Sequence, residues 1–444
     1  MLVYQRTTTI RATLWSILGA YLLLPAGTEV DLPLIPPLDK VSVPNISAFL
    51  VCTLIMGKRI SLIPKDINTR WLMLLYVVSP FVTALLNDDP LVAGPVFIAG
   101  MNSYDALSAV IRQMIFILPF LMGLQFFKTE KSLEDILLVL VVAVMWYSIP
   151  MLLEIRLSPQ LHRWVYGFFP HSFVQQMRGG GFRPVVFVGH GLGVAFFTML
   201  ALVASAVLWR IRQNSFKSLQ NGLVVGYLFV LLILCKSMAS FVYGCLLLIL
   251  IRFVSPKKQV RVACVMVIIA LTYPLTRGLD LFPIQRITEI AESLSAERAQ
   301  SFNFRVENET RLLNKTEDRP LFGWGTWGRN RVYDLRTGKD LTVTDGRWII
   351  VMSQFGWIGL IAEFGLLALP VFRCLRYFRL INGRHEAIVL SAFSLIMGVS
   401  LLDLLPNNTM TPLTWLMAGA ILSRTDYLKQ TARQASDTNV KVAV

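Results

Sequence analysis

The stretch PVVFVGHGLGVAFFTMLALVASAVLW, Pro184–Trp209, contains no Asp, Glu, Lys or Arg, and its reading decides the class of the molecule. A helix rising 1.5 Å per residue over that length crosses a hydrocarbon core of about 30 Å. A second run, Leu133–Leu153, is uncharged after Glu134 and Asp135. Over 444 residues, 55% are hydrophobic and 16% charged, more apolar side chains than a water-soluble core of this size would hide. Only helices satisfy every backbone group within such runs. The sequence therefore predicts an all-α polytopic membrane protein.

Working outward, an apolar run from Ala12 to Pro25 follows Arg6 and Arg11. It resembles a signal peptide and is read as an uncleaved first span. A short span over Asn45–Gly57 comes next. Further spans are expected at 70–86, 107–127, 133–153, 184–209, 221–235, 239–254, 260–275, 348–370, 387–404 and 411–423, about twelve crossings in all. The chain then divides into a bundle over 1–275 with an outer loop at 154–184, a large and partly helical loop over 276–347, closing spans over 348–423, and a disordered tail over 424–444.

Basic residues set the orientation. Lys58, Arg59, Lys65, Arg70, Lys128, Lys131, Arg210, Arg212, Lys217, Arg252, Lys257, Lys258, Arg261, Arg373, Arg376, Arg379 and Arg384 all fall in loops of one face, as does the tail from Arg424. The alternate short loops carry Glu29, Asp31, Asp39, Asp88, Asp89 and Asp105 against Lys40 alone. Both termini thus belong on the basic, cytoplasmic side. The net charge of +15 is accounted for by this bias and by attraction to membrane lipids, so no nucleic-acid partner is implied. None of Cys52, Cys235, Cys245, Cys264 and Cys374 lies in a long loop, and the four histidines form no HExxH pattern. Neither a disulfide framework nor a bound metal or other cofactor is expected.

Charges of both signs concentrate between Arg305 and Gly359. Within the large loop, Ile287, Ile290, Ala291 and Leu294 recur at helical spacing, predicting an amphipathic helix on the membrane. A second helix is expected over Asn303–Asn314, with Arg305, Glu309 and Leu312 on one face and Glu307 and Arg311 beside them. It ends before Pro320 and the glycine turns at Gly323, Gly325 and Gly328.

Arginine suits phosphate because its planar fork donates paired hydrogen bonds and keeps its proton. Arg178 and Arg183 bracket RGGGFRP, whose glycines let backbone N–H groups approach an anion; snorkelling to lipid headgroups is the plainer alternative. His190, two turns into the span from Pro184, is a candidate ligand or a packing residue. Asp345 and Arg347 stand at the water end of the span from Trp348, where the carboxylate is either a general base or a helix N-cap. Trp324, Trp327 and Trp348 could stack on sugar rings and read best as an interfacial aromatic belt. Arg112, Glu363 and Asp403 lie in or near spans, where charge is costly and often functional, and Arg112 and Asp403 are placed to pair or line a cavity.

Several features together resemble the O-antigen ligase and polysaccharide polymerase superfamily of bacterial inner-membrane proteins. They are the span count, the large outer loop before a late span, the turn PLFGWG (Pro320–Gly325) and the following GWIG (Gly356–Gly359). CKSMAS at 235–240 is similar to a Ser/Arg-rich link in that family. The resemblance implies a metal-independent, inverting glycosyltransferase that takes an undecaprenyl-diphosphate-linked glycan as donor on the periplasmic side. Polymerases of the family carry an R-x10-G pattern, which Arg178 to Gly189 matches. Asp345 to Gly356 has the same spacing, where many members place a His followed by Asn; here Asp345 and Gly346 stand instead.

The expectation is a polymerase of O-antigen or exopolysaccharide repeat units. Arg178, Arg183, Arg305 and Arg347 would hold the diphosphate, with His190, Glu307 and Arg311 completing the substrate contacts and Asp345 activating the acceptor hydroxyl. A chain-length regulator or a flippase is the partner such an enzyme would have. A ligase transferring finished glycan shares the fold and donor. A lipid-linked sugar transporter would instead keep its charges along a central path.

Overall fold

A computed structural model of the chain describes residues 2–31, 36–178, 180–211, 218–294 and 296–442. Gly179, Arg212 and Lys217 lie outside the described residues, as do the side chains of Ile290, Ala291 and Leu294. The fold is all-α apart from two short hairpins, with sixteen helices among the described residues. In chain order these begin with α1 (Leu2–Arg6), α2 (Thr9–Leu23), α3 (Ser42–Leu50, continuing as a π-helix over Val51–Ile55) and α4 (Ile67–Leu85). The hairpin β1 (Leu91–Ala93) and β2 (Val96–Ile98) leads to α5 (Ser103–Phe126), α6 (Glu130–Leu157) and α7 (Leu161–Tyr166). After β3 (Met177–Arg178) and β4 (Gly181–Phe182) come α8 (Gly191–Ile211), α9 (Ser218–Leu234), α10 (Met238–Phe253) and α11 (Pro256–Gly278). The large loop holds α12 (Ile284–Leu294) and α13 (Ala296–Thr316), and α14 (Arg347–Tyr377), α15 (Arg384–Asp403) and α16 (Pro412–Val442) close the chain.

Six of these helices, α5, α6, α8, α11, α14 and α15, are long and apolar enough to cross a membrane. That is a multi-pass membrane protein. Helix starts follow ordinary capping chemistry, on α4 as on the long helices. Asp66 accepts the Thr69 N–H at 2.9 Å, Asn102 and Asp105 form a capping box on α5, and Thr129 with Ser132 does the same on α6, each relieving backbone donors that have no partner within the helix. Small residues set the closest packing. A Cβ on Gly419 of α16 would lie 2.1 Å from the Phe120 carbonyl oxygen of α5, so the two backbones touch there. Far from ending near residue 423, α16 continues to Val442, and Arg424 ties it to Glu386 and to the Lys128 carbonyl.

The outer loop is bolted into a break in α14. Gly356 sits at φ +63° inside that helix. The turn Pro320–Gly325 fills the break: Trp357 N–H donates to the Pro320 carbonyl (2.9 Å) and Ile358 N–H to Leu321 (3.1 Å), while Trp324 N–H donates to Ser353 and Gly325 N–H to Gln354, both at 2.9 Å. A Cβ on Gly356 would stand 2.4 Å from Leu321 backbone atoms, which excludes any other residue. From the far side, Thr83 and Asn87 at the end of α4 donate to the Phe322 and Gly323 carbonyls.

Three side chains are placed differently from the sequence expectation. Trp348 is fully buried and Trp324 nearly so; Trp324 Nε1 donates to the Lys315 carbonyl, and its ring carries the cations of Lys315 and Arg319 at 4.7 and 4.3 Å. Of the three tryptophans only Trp327 is exposed enough for a belt. Arg112 does not pair with Asp403. Its guanidinium lies over Phe116, and Asp403 accepts instead from Asn407 and Thr409, because the loop after α15 turns back on its own helix end.

Arg347 and Glu363 cross the same break as a bidentate pair at 2.6 and 2.7 Å, with Glu363 wholly buried. Removing one partner strands a charge in an apolar surround. Glu363→Ala should therefore lower stability by roughly 3–5 kcal/mol, seen as a fall in the thermal midpoint of the detergent-solubilised protein. Replacing both residues by methionine should recover most of the loss, and an unchanged midpoint in Glu363→Ala would show the pair to be dispensable.

Candidate functional site

Arg178 and Arg183 stand on either side of the β3–β4 turn at the water end of α8. The loop that bears them is held from beneath by Glu154, at the end of α6. Its carboxylate accepts the N–H groups of Leu161, Val185 and Val186 at 3.0, 2.7 and 2.8 Å. Tyr147 accepts the next one, from Phe187, at 3.0 Å. Irregular backbone at this depth persists where a polar side chain takes over its hydrogen bonds. His190 is consequently the last loop residue before α8 starts at Gly191, and not two turns inside a span.

Lys236, in the α9–α10 link, latches this loop from the other side. Its carbonyl accepts both Nε and Nη2 of Arg183 at 3.1 and 3.0 Å. Its Nζ donates to the Arg178 carbonyl at 3.0 Å. Lys236 holds φ +52°, a left-handed conformation that is uncommon outside glycine. A Cβ on Gly181 would approach Lys236 Nζ to 2.4 Å, so the missing side chain there makes room for the ammonium group.

Arg305 arrives from the large loop. One turn along α13, Glu309 is buried against the bundle, accepting from Tyr273 Oη (2.9 Å) and Trp348 Nε1 (3.3 Å) and facing Arg277 at 3.5 Å. Leu312 on the same face is fully buried. The face expected from the sequence is thus the one that docks, on a helix longer than the expected Asn303–Asn314. Docking carries Arg305 to 3.7 Å from Asp345.

Arg178, Arg183 and Arg305 form a wall common to two recesses. One, of about 690 Å³, continues between apolar residues of α9, α10 and α13, including Leu232, Ile233, Met238, Phe241 and Phe302, with Lys236 at its rim. The other, of about 550 Å³, gathers His171, Gln175, His190, Thr344, Asp345, Asn407 and Thr409 alongside apolar residues such as Phe196, Phe197, Leu200 and Leu413. Asn407 and Thr409 are fixed there by their bonds to the buried Asp403. Asp345 is half-buried and does not cap α14, whose N-cap position is taken by Gly346.

Three expected members are elsewhere. Arg347 spends its guanidinium on Glu363; its backbone N–H donates to the Leu404 and Asn407 carbonyls, so it shapes the cavity edge without lining it. Glu307 and Arg311 pair with each other at 2.5 Å on an exposed helix face, and Arg311 also donates to the Leu341 carbonyl. Such i,i+4 surface pairs form because the helix brings them together at little cost. Lys236, Gln175, Thr344, Asn407 and Thr409 are among the polar lining residues that sequence reasoning missed. The polar run PNNT at 406–409, at the water end between two apolar helices, is the signal that would have found two of them.

The electrostatics favour an anion. Burial, then the neighbouring charges of Arg178 and Arg305, brings the Arg183 guanidinium down to about 10. Burial pushes the His190 imidazole down to about 4, with His171 and the guanidiniums of Arg183 and Arg305 adding to the effect. His190 is therefore neutral at pH 7. Its Nδ1 accepts the Leu192 N–H at 3.1 Å, which puts the ring proton on Nε2.

No family model matches this chain, and no curated protein matches it.

The depressed His190 value has a measurable sign. A folded value near 4 below an unfolded one near 6.5 means this group costs stability progressively as the pH falls from about 6.5 to about 4. An anion between the arginines would oppose that depression. In 15N-histidine NMR of the purified protein, one imidazole should titrate near 4 and move upward on adding inorganic diphosphate. Assignment by His190→Gln, followed by an ordinary titration near 6.5, would contradict the buried, cationic setting.

Proposed function

We propose that this chain polymerises polyprenyl-diphosphate-linked oligosaccharide repeat units at the periplasmic face of a bacterial inner membrane, as an O-antigen or exopolysaccharide polymerase. One observation carries the reading: a mainly apolar recess and a second one that holds the polar cluster of His171, Gln175, His190, Asp345, Asn407 and Thr409 share a wall of three arginines. A lipid-linked glycan has those three parts in that order, with an isoprenoid chain in the first recess, sugars at the polar cluster of the second and the diphosphate at the wall between.

In the proposed reaction the acceptor hydroxyl gives its proton to the Asp345 carboxylate as its oxygen forms a bond to the donor's anomeric carbon. The bond from that carbon to the diphosphate breaks, and the electron pair leaves with the phosphate oxygen. Attack opposite the leaving group inverts the anomeric centre. Arg178, Arg183 and Arg305, with Lys236 at the rim, stabilise the charge that grows on the departing diphosphate. Holding both lipid-linked partners in line supplies the entropic part. His190 contributes a neutral donor through Nε2. No metal is required for this, since fixed cations take the role it would have.

The topology belongs to the same proposal. With the six long helices, α2, α3 and its π-helical extension, α4, α9, α10 and the first half of α16 make twelve crossings. Both termini and the Lys/Arg-rich loops then face the cytoplasm, and residues 276–347 face the periplasm. Reporter fusions within 276–347 should be active only outside the cytoplasm; cytoplasmic activity would overturn the whole scheme.

The chemistry is tested with purified protein and a lipid-diphosphate-linked repeat unit in vesicles lacking a second compartment. Arg178→Ala should slow polymer formation by about 10²–10³-fold, as loss of one preorganised donor does. Asp345→Ala should do so by about 10²–10⁴-fold. Protein level should be unchanged, because both residues border open cavity. Near-normal chain length in both variants would refute the assignment. In a deletion strain, glycan arrested at one repeat unit supports a polymerase, whereas full-length chains stranded on the carrier would make the protein a ligase.

A further inference from the structure

At the other end of α8, about 30 Å from the arginine wall by its length, a second group of arginines has no role in the reaction above. Arg210 lies in the last turn of α8 and Arg252 in that of α10. Arg252 and Arg384, the first residue of α15, are both near enough for Arg210 to feel their charge. Among the described residues none of the three has a carboxylate partner. This contrasts with the same face's Arg373, which holds Asp66 and Asp426, and Arg424, which holds Glu386.

Arg210 is also fixed in place. Its Nη1 donates to the Ile251 and Val254 carbonyls at the end of α10, and among the described residues Nε and Nη2 have no acceptor. Immediately beside it is an apolar cleft of about 290 Å³ between α8, α9 and α10, lined by Ala206, Val225, Leu248, Ile249 and Phe253, with Arg210 and Arg252 at its edge. Ile249 and Phe253 are exposed, so the cleft opens outward from the bundle.

We infer that this cleft is a binding site for one anionic phospholipid of the leaflet on the basic face, its acyl chain in the cleft and its phosphate held by Arg210, Arg252 and Arg384. Charge complementarity selects the occupant: like-charged guanidiniums gathered without acid partners at a bilayer surface call for an anionic headgroup. The apolar cleft beneath them calls for a hydrocarbon chain. The inference needs only the membrane setting, and stands or falls independently of the polymerase reading.

The test uses full-length purified protein and native mass spectrometry with phosphatidylglycerol or phosphatidylcholine. Phosphatidylglycerol should be retained as one copy, with at least tenfold preference, taking about fivefold per arginine at a membrane surface. Arg252→Gln with Arg384→Gln, which leaves the Arg210 bonds to α10 intact, should lower that retention roughly 25-fold on the same basis. Ile249→Trp, filling the cleft with all three arginines kept, should abolish it. Lys257→Gln with Lys258→Gln, on the same face but off the cleft, should leave it unchanged. Equal retention of the two lipids, equal loss in the lysine variant, or displacement of the lipid by millimolar inorganic phosphate would each overturn the site.

Discussion

The rest of the structure depends on what fills the break in α14. A helix interrupted at membrane depth exposes backbone groups that water cannot reach, each costing several kcal/mol if unmet. Here four of the bonds at the break come from one turn, Pro320–Gly325, and the absent side chain of Gly356 lets that turn approach. The outer loop is therefore part of the bundle's hydrogen bonding. Glu309 pins the same loop a second time, on α11 and α14. Arg305 stands one helical turn before the Glu309 anchor on α13, and that is why it can serve as a fixed cation although it belongs to the most polar segment of the chain.

The arginines of the molecule sort by what faces them. Arg347, Arg319, Arg373 and Arg424 each meet a carboxylate, and their work is to join elements. Arg183 is held by a backbone carbonyl, which leaves its positive charge uncancelled. Arg305 faces Asp345 only at 3.7 Å. Gathering these two with Arg178 at one wall raises their mutual repulsion, a cost that a protein with no anion to bind would have no reason to carry. The same sorting separates Arg210, Arg252 and Arg384 from their paired neighbours on the opposite face.

Much of this was legible in the sequence, for physical reasons. Long uncharged runs must be helices in lipid, so the long helices could be located, though α8 starts and α14 ends seven residues later than expected. The face of α13 bearing Arg305, Glu309 and Leu312 could be read because helical spacing puts those residues on one side. Two of the failures share a cause: a pairing partner distant in the chain. Nothing near Arg347 announces that Glu363, sixteen positions on, will claim it across a kink. His190 looked embedded in a span because Val185 and Val186 are apolar, yet a carboxylate thirty residues earlier had already taken their N–H groups. Lys236 drew no notice because its importance lies in its backbone carbonyl and its left-handed φ, neither of which a side-chain pattern encodes.

In the proposed reaction, the choice of proton acceptor follows from the same hydrogen-bond accounting. Besides His171, two side chains in the second recess have the chemistry for it. His190 is neutral at pH 7, as a base should be, but its unprotonated nitrogen already accepts the Leu192 N–H, and the proton-bearing one can only donate. Burial among guanidiniums also opposes the imidazolium it would have to become. A carboxylate that takes the proton becomes neutral where an imidazole would become cationic, so its protonation adds no positive charge to the arginine wall. The carboxylate is half-exposed and beside Arg305, within reach of an acceptor approaching from water. A site arranged this way assigns proton removal to the acid and leaves the histidine to orient.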